Sequence, residues 1–257
     1  MSEELKPQAA APATPQAAPQ APAAAPKKPA APAAAAPAAP AENDCHVRTI
    51  ERAAFRKEME RLHKEEHMDF LECLTGIDRE DDGLAVIYHL ESTATGKRTC
   101  VQVVCEGRET PNVPTVSDLW DIANIYEREV YDFYGIIFTG HPDMRRIYMR
   151  EDWVGYPFRK DDETEKNNPL RMTNEPLADT TDTYTLAPDG TLTKEQRNIF
   201  GEEDYVVNIG PQHPSTHGVL HFRVCLQGEV IKKIDPILGY IHRGVEKISE
   251  QMTYPQT

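Results

Sequence analysis

Between Glu127 and Asp161, the residues Gly135, Gly140, Pro142, Gly155 and Pro157 forbid one long helix. Each such proline removes a backbone donor and clashes with the preceding turn, and each glycine costs a helix about 1 kcal/mol. Glu127-Arg128-Glu129 would still sit well in a helix. The stretch is therefore expected to leave a helix end, run as short extended pieces and wrap over something. It carries eight aromatic residues, from Tyr131 to Phe158, among acids and arginines. A planar guanidinium pairs bidentately with a carboxylate and stacks on a ring at once, which suits an interface. A loop-rich flank of an ordinary domain fits the same composition.

The chain before this stretch divides by composition. Residues 1–41 are almost entirely Ala, Pro and Gln; proline at that density predicts a disordered, partly polyproline-II tail. From Val47 to Met68 the pattern predicts an amphipathic helix laced with i,i+4 charge pairs. Met68–Asp78 resembles a strand. Gly83–Glu91 and Arg98–Cys105, rich in β-branched and aromatic residues and separated by a turn-like Ser92–Lys97, predict a hairpin. Pro111 and Pro114 bracket a break. Ser117 is a candidate N-cap for a second helix through Leu119, Trp120, Ile122, Ala123 and Tyr126, ending at the Glu127 stretch. One helix, three strands and a second helix make a small α+β layer with both helices on one sheet face.

Charge and cysteine usage exclude several roles. A net charge of −14 disfavours nucleic acid or an anionic membrane surface, which reward Lys and Arg clusters. No apolar run approaches the roughly 18–20 residues that span a bilayer, and the N-terminus lacks a signal-peptide pattern. Cys45, Cys73, Cys100, Cys105 and Cys225 form no C-x-x-C pair, so reduced thiols fit better than disulfides or an Fe–S cage. His46, His63, His67 and His89 are scattered and read as surface or structural. With no Gly-rich phosphate loop, this domain reads as noncatalytic.

Residues 162–203 have linker composition, and a loop of that length inside a compact domain is uncommon. Thr183–Leu186 and Thr191–Thr193 could pair briefly around Pro188-Asp189-Gly190. Beyond it Leu220, Phe222, Val224 and Leu226 alternate with polar partners, Gln227-Gly228 turns, and Glu229–Asp235 returns, which predicts a second hairpin. Gly239 precedes a helix in which Ile241, Val245 and Ile248 share a face. Ahead of the hairpin lies Gly210-Pro211-Gln212-His213-Pro214-Ser215-Thr216-His217-Gly218. Two His at i and i+4 on a helix could hold zinc, but Pro214 and the glycines argue for a rigid loop presenting two imidazoles and two hydroxyls. Residue types alone favour a structural loop.

Glu127-Arg128-Glu129, Asp132-Phe133-Tyr134-Gly135 and Gly140-His141-Pro142-Asp143-Met144-Arg145-Arg146-Ile147 resemble the signature of the C subunit of respiratory complex I, the proton-pumping NADH:quinone oxidoreductase. Glu151-Asp152-Trp153, Gly155, Pro157 and Arg159-Lys160-Asp161 fit the same family. The loop from Gly210 to Leu220, with His242-Arg243-Gly244-Val245-Glu246-Lys247, is similar to the opening of the D subunit. The resemblance implies a loop entering the quinone cavity, with His213 and His217 lining it and His217 bonding a quinone carbonyl and supplying a proton. An imidazole with ordinary pKa near 6.5 can give and recover a proton near neutrality.

The resulting expectation is an α+β chain in four parts. They are a tail over 1–41, a domain like the C subunit over 42–161, a linker over 162–203, and an incomplete hairpin and helix like the D subunit over 204–257. So short a D-like part would expose an apolar face, which suggests a truncated or fragmentary C–D fusion. The resemblance implies a peripheral subunit on the cytoplasmic face of the bacterial inner membrane, without a transmembrane segment or nucleic-acid partner. Its partners would be the other hydrophilic-arm and membrane subunits. Quinone would be substrate, with NADH, FMN and Fe–S clusters on those partners and no metal or cofactor of its own. Glu127, Arg128, Glu129, Asp132, His141, Arg145, Arg146, Arg243 and Glu246 would be interface or structural residues. A subunit of a membrane-bound [NiFe] hydrogenase-type complex and a non-redox assembly module are the competing readings.

Overall fold

The computed structural model describes residues 47–162, 177–212 and 218–256. The tail over 1–41 and the loop histidines His213 and His217 lie outside the described residues.

The first element corrects the sequence expectation. Val47–Ile50 is not the start of a helix but a strand, β1, parallel to β4 (Arg98–Val104) with Val47 opposite Cys100. Val47, Thr49 and Ile50 are β-branched, which stiffens them against a helix and suits a pleated edge. Helix α1 begins only at Arg52 and runs to Lys64. It buries Phe55, Met59 and Leu62, the i, i+4, i+7 stripe of a helix lying on a sheet. Arg61, His63 and Lys64 fill its last turn, where cations complement the helix dipole.

Strands β2 (Phe70–Asp78), β3 (Leu84–Glu91) and β4 complete a four-stranded sheet in the order β1-β4-β3-β2. The expected β3–β4 hairpin is present, in register from Ala85↔Val104 to Glu91↔Arg98. Val86, Tyr88 and Leu90 of β3 and Val101 and Val103 of β4 join the stripe of α1 in one core. Complete burial of such a side chain contributes about 1.5–3 kcal/mol, so this face carries most of the stability.

The second helix, α2, spans Ala123–Tyr134. It starts later than expected and runs through the Glu127 stretch instead of ending there. Ser117 does not cap it: its backbone N–H turns to the Thr115 hydroxyl, and residues 117–122 form turns on Val116 and Trp120 carbonyls. α2 ends at Gly135, whose φ of 71° is the left-handed conformation common after a helix. A Cβ there would lie 2.5 Å from the Tyr156 ring, so the position excludes any side chain. Between the prolines expected to mark a break, Asn112–Pro114 (β5) pairs parallel with Ile137–Thr139 (β6).

The pairing expected around Pro188–Gly190 is longer than the sequence suggests. Thr180–Leu186 (β7) and Leu192–Asn198 (β8) form an antiparallel ribbon from Thr180↔Asn198 to Leu186↔Leu192. It is tied to the loop after β6, where Gly140 N–H donates to Tyr184 O and Met144 N–H to Asp182 O, both at 2.7 Å. The second hairpin, β10 (His221–Gln227) and β11 (Val230–Ile237), is joined by a third strand, β9 (Tyr205–Ile209), in the order β11-β10-β9. Helix α3 (Val245–Gln251) follows; Ile241, expected on its apolar face, precedes it and is exposed.

Candidate functional site

The Glu127–Asp161 stretch folds into a buried polar hub built on α2. Asp132 is wholly buried and accepts four hydrogen bonds: from Arg146 Nη1 at 2.7 Å and from the backbone N–H groups of Ile147, Tyr148 and Met149 at 2.8–3.1 Å. Arg146 spends its remaining donors on the carbonyls of Asp132, Trp153 and Gly155 and lies over the Tyr156 ring. One turn earlier, Arg128 donates to the carbonyls of Arg145 and Arg146. Through these bonds α2 gathers the returning chain by side chain-to-backbone contacts. A buried backbone that belongs to no sheet requires such partners.

Glu127 and His141 occupy the interior beside this hub, each with no exposed surface. Glu127 accepts from Val116 N–H at 2.7 Å and meets the Thr115 hydroxyl at 2.5 Å. His141 Nδ1 accepts the Asp143 N–H at 3.0 Å, which leaves Nε2–H to donate to Asn124 O at 3.1 Å. That arrangement specifies the neutral ring, and burial pushes its pKa down to about 4. Glu129 is reached by the Tyr148 hydroxyl, and burial raises its pKa.

Arg145 carries the hub across to the second hairpin. It holds Asp143 by two bonds of 2.6 and 2.7 Å and reaches Asp235 on β11 at 2.9 Å. Asp235 is also clamped by Arg223 of β10, at 2.6 and 3.0 Å, and Arg223 and Asp235 are direct cross-strand neighbours. Burial pushes the Asp235 carboxyl up, but Arg145 and Arg223 outweigh it and hold the group below the ordinary carboxylate range. A cavity of about 220 Å³ lies at this junction, lined by Arg128, Arg145, Arg146, Arg223, Tyr148 and Tyr240 among others.

Aromatic stacking completes the junction. The Phe133 ring stacks on Phe158 at 4.1 Å, on Tyr148 at 5.5 Å and on His242 at 5.0 Å. Lys247 donates to Arg159 O at 2.9 Å, and a Cβ on Gly239 would fall 2.3 Å from Tyr148 O. The residues expected from the sequence therefore separate into two groups. Glu127, Arg128, Glu129, Asp132, His141, Arg145 and Arg146 come together, whereas Arg243 is exposed and Glu246, also exposed, reaches His242 at 3.7 Å.

Residue patterns alone miss Arg223, Asp235 and the stacking of His242. Alternation along the strand makes Arg223 a polar residue of an outward face; instead it is 6% exposed, more buried than its neighbour Phe222. The stem of the histidine loop is closed by a bridge between Gln212 and Val219, with Leu220 N–H donating to Pro211 O. Beside it His221 Nδ1 and the Tyr240 hydroxyl are 2.8 Å apart. Among the described residues, no group of three or more His, Cys, Asp or Glu could hold a metal ion, and no helix is long and apolar enough to cross a membrane.

The two helices and the four-stranded sheet form an α+β layer whose second helix clamps the chain that follows it. Residues 48–168 match the family described as respiratory-chain NADH dehydrogenase, 30 Kd subunit. Over a longer reach it is similar to the NADH-quinone oxidoreductase C/D subunit of Bacteroides thetaiotaomicron, with 58% identity over 82% of this chain and 42% of that one. The same-named protein of Phocaeicola vulgatus is 56% identical over 78% and 38%, and that of Nitrosospira multiformis 35% identical over 70% and 30%. The resemblance to a C–D fusion seen in the motifs therefore holds. The chain spans about two fifths of the length of the first curated relatives it matches. A chain of the membrane-bound sulfane sulfur reductase, an archaeal respiratory membrane complex, aligns with a TM-score of 0.42 and 27% identity over 51% of this chain and 81% of that one.

Proposed function

We propose that this chain is a peripheral-arm C/D-type subunit of a proton-translocating NADH:quinone oxidoreductase, at the cytoplasmic face of the membrane. Residues 42–161 form its scaffold, residues 162–203 connect it through the β7–β8 ribbon, and residues 204–257 supply part of the wall of a quinone site. The observation that carries the reading is the similarity to named C/D subunits over four fifths of the chain. The Arg145–Asp235–Arg223 junction supports it, because it fixes the part carrying the histidine loop onto the scaffold.

In this reading quinone is the substrate, and NADH, FMN and the Fe–S clusters sit on partner subunits. Two-electron reduction of a quinone consumes two protons. His217 donates one at a quinone carbonyl, and His213 lines the same cavity. The stem of the loop is closed by the Gln212–Val219 bridge. Isolated, the chain has no electron carrier and is inactive with NADH.

The test is His217→Ala in the assembled complex. A proton donor contributes typically about 10²–10⁴-fold, so NADH:quinone turnover falls by at least about tenfold. Electron transfer from NADH to a soluble artificial acceptor, which bypasses the quinone, stays at the unmodified level. Unchanged quinone turnover would remove the loop from the chemistry and leave a purely assembling subunit.

A further inference from the structure

Glu127 is a buried carboxyl that the quinone chemistry does not use. Charged and titratable groups approach it from each element packed against it. From α1 comes Arg56, which donates to Thr115 O at 2.6 Å and is engaged by Asp118 and Glu60. The segment after β5 contributes Asp118, whose side chain is 59% exposed. From the loop after β6 comes His141, with Nε2 at 3.9 Å from Glu127 Oε2, but that ring is held neutral by its own two hydrogen bonds. β3 contributes Tyr88, wholly buried, whose hydroxyl has no hydrogen-bond partner among the described residues. Cys105 lies near Tyr88, and burial pushes its thiol up to about 12. On α2 itself, Arg128 is turned to the Arg145 and Arg146 carbonyls.

Among the described residues, therefore, no cation pairs with Glu127. Its contacts are an amide N–H, a hydroxyl and a neutral imidazole, which is the setting in which a carboxyl keeps its proton. The neighbouring bonds accommodate that proton. Thr115 Oγ1 lies 2.5 Å from Glu127 Oε2 and 2.9 Å from Ser117 Oγ and also accepts the Ser117 N–H at 3.1 Å. Its single hydrogen cannot serve both oxygens. A proton on Glu127 donated to Thr115, with Thr115 donating to Ser117, satisfies all three groups. Burial, the largest influence, pushes the Glu127 carboxyl up to about 8, against the opposing pull of Thr115 and Val116.

We propose that Glu127 is held as the neutral acid and that its proton latches the Thr115–Asp118 segment onto α2. Loss of the proton puts an uncompensated charge in the core. The least costly relief is for the segment to lift at its exposed Asp118 edge and admit water. The segment joins the β5–β6 pair, through Thr115 N–H to Thr139 O, to the turns that lead into α2. Opening it loosens the base of the helix that carries the polar hub. The proposal stands whether or not the quinone reading does.

The experiment uses the full 257-residue chain. Infrared difference spectra of wild type minus Glu127→Gln show a carboxylic-acid carbonyl band at neutral pH that disappears by about pH 9. Over the same range the amide of Val116, corrected for intrinsic exchange, loses about tenfold of its protection in wild type and keeps it in Glu127→Gln. An absent acid band at neutral pH, or an equal loss of protection in both proteins, overturns the latch. If Glu127→Gln does not fold, Thr115→Val replaces it. This change removes the hydroxyl that accepts the Glu127 proton, so the Val116 amide has already lost about tenfold of its protection at neutral pH, and protection equal to wild type there overturns the proposal.

Discussion

At the scale of single residues, the buried acids of α2 have different partners. Asp132 accepts from Arg146 and three backbone donors, whereas Glu127 meets an amide N–H and a hydroxyl. Removing one partner of a buried pair typically costs about 3–5 kcal/mol. Asp132→Asn is therefore expected to lower the urea stability of the chain by about that amount, far more than a surface change. Glu127 and His141 make stability depend on pH with opposite signs. The folded state keeps the Glu127 proton between its ordinary value and about 8, so stability falls as pH rises through that window. It sheds the His141 proton between about 4 and the ordinary histidine value, so stability rises with pH there. The two cancel in mildly acidic solution, and the Glu127 loss stands alone from about pH 6.5 to 8. Unfolding free energies from urea titrations across that range should fall for wild type relative to Glu127→Gln, by about 1.4 kcal/mol per pH unit at most.

At the scale of elements, the two hairpins are held by different physics. β3–β4 sits on an apolar core through Val86, Tyr88, Leu90, Val101 and Val103. β10–β11 is held through Asp235, between Arg145 and Arg223, and through His242 and Gly239 against Tyr148. Asp235→Asn leaves two arginines facing an amide and should release β10–β11 selectively. Hydrogen exchange is expected to quicken in β9–β11 while β2–β4 keeps its protection. Equal loss in both sheets would mean that the junction is part of the main core instead. A bulge between Cys225 and Leu226 sets this pairing. A ladder counted straight back from the Gln227↔Val230 end would set Arg223 opposite Ile234; the extra residue moves it to Asp235.

At the scale of the whole molecule, apolar side chains are distributed unevenly. The sheet under α1 and α2 exposes Val47 and Phe70 at its two edge strands, but Val230, Ile231 and Ile234 of β11 are between 50% and 67% exposed, and Val245, Met252 and Tyr254 nearby in sequence are exposed too. Exposed apolar groups on an edge strand favour association. The chain alone should self-associate as its concentration rises, and the double substitution Ile231→Lys with Ile234→Lys should suppress this without lowering the melting temperature. Light scattering beside a thermal melt checks both halves.

Local sequence determined what depends on neighbours along the chain. The β3–β4 hairpin, the Phe55-Met59-Leu62 stripe and the glycine stop at the end of α2 follow from residue type and period, which act over a few positions. The pattern starts the first helix too early because no side-chain cap marks its start at Arg52, while Val47–Ile50 answers to a partner strand some fifty residues away. It misplaces the start of α2 for a similar reason: Ser117 has the chemistry of a cap, but Glu127 and Thr115 claim its surroundings. Sequence also sufficed to mark Glu127, Asp132, His141, Arg145 and Arg146 as a constellation. Only the tertiary structure decided that Asp132 gathers backbone, that Asp235 and Arg223 complete the junction, and that Glu127 meets no cation among the described residues. Those outcomes rest on burial and on contacts between distant segments, and charge pairing inside a protein is set by which groups lose water together, a property that no local stretch of sequence contains.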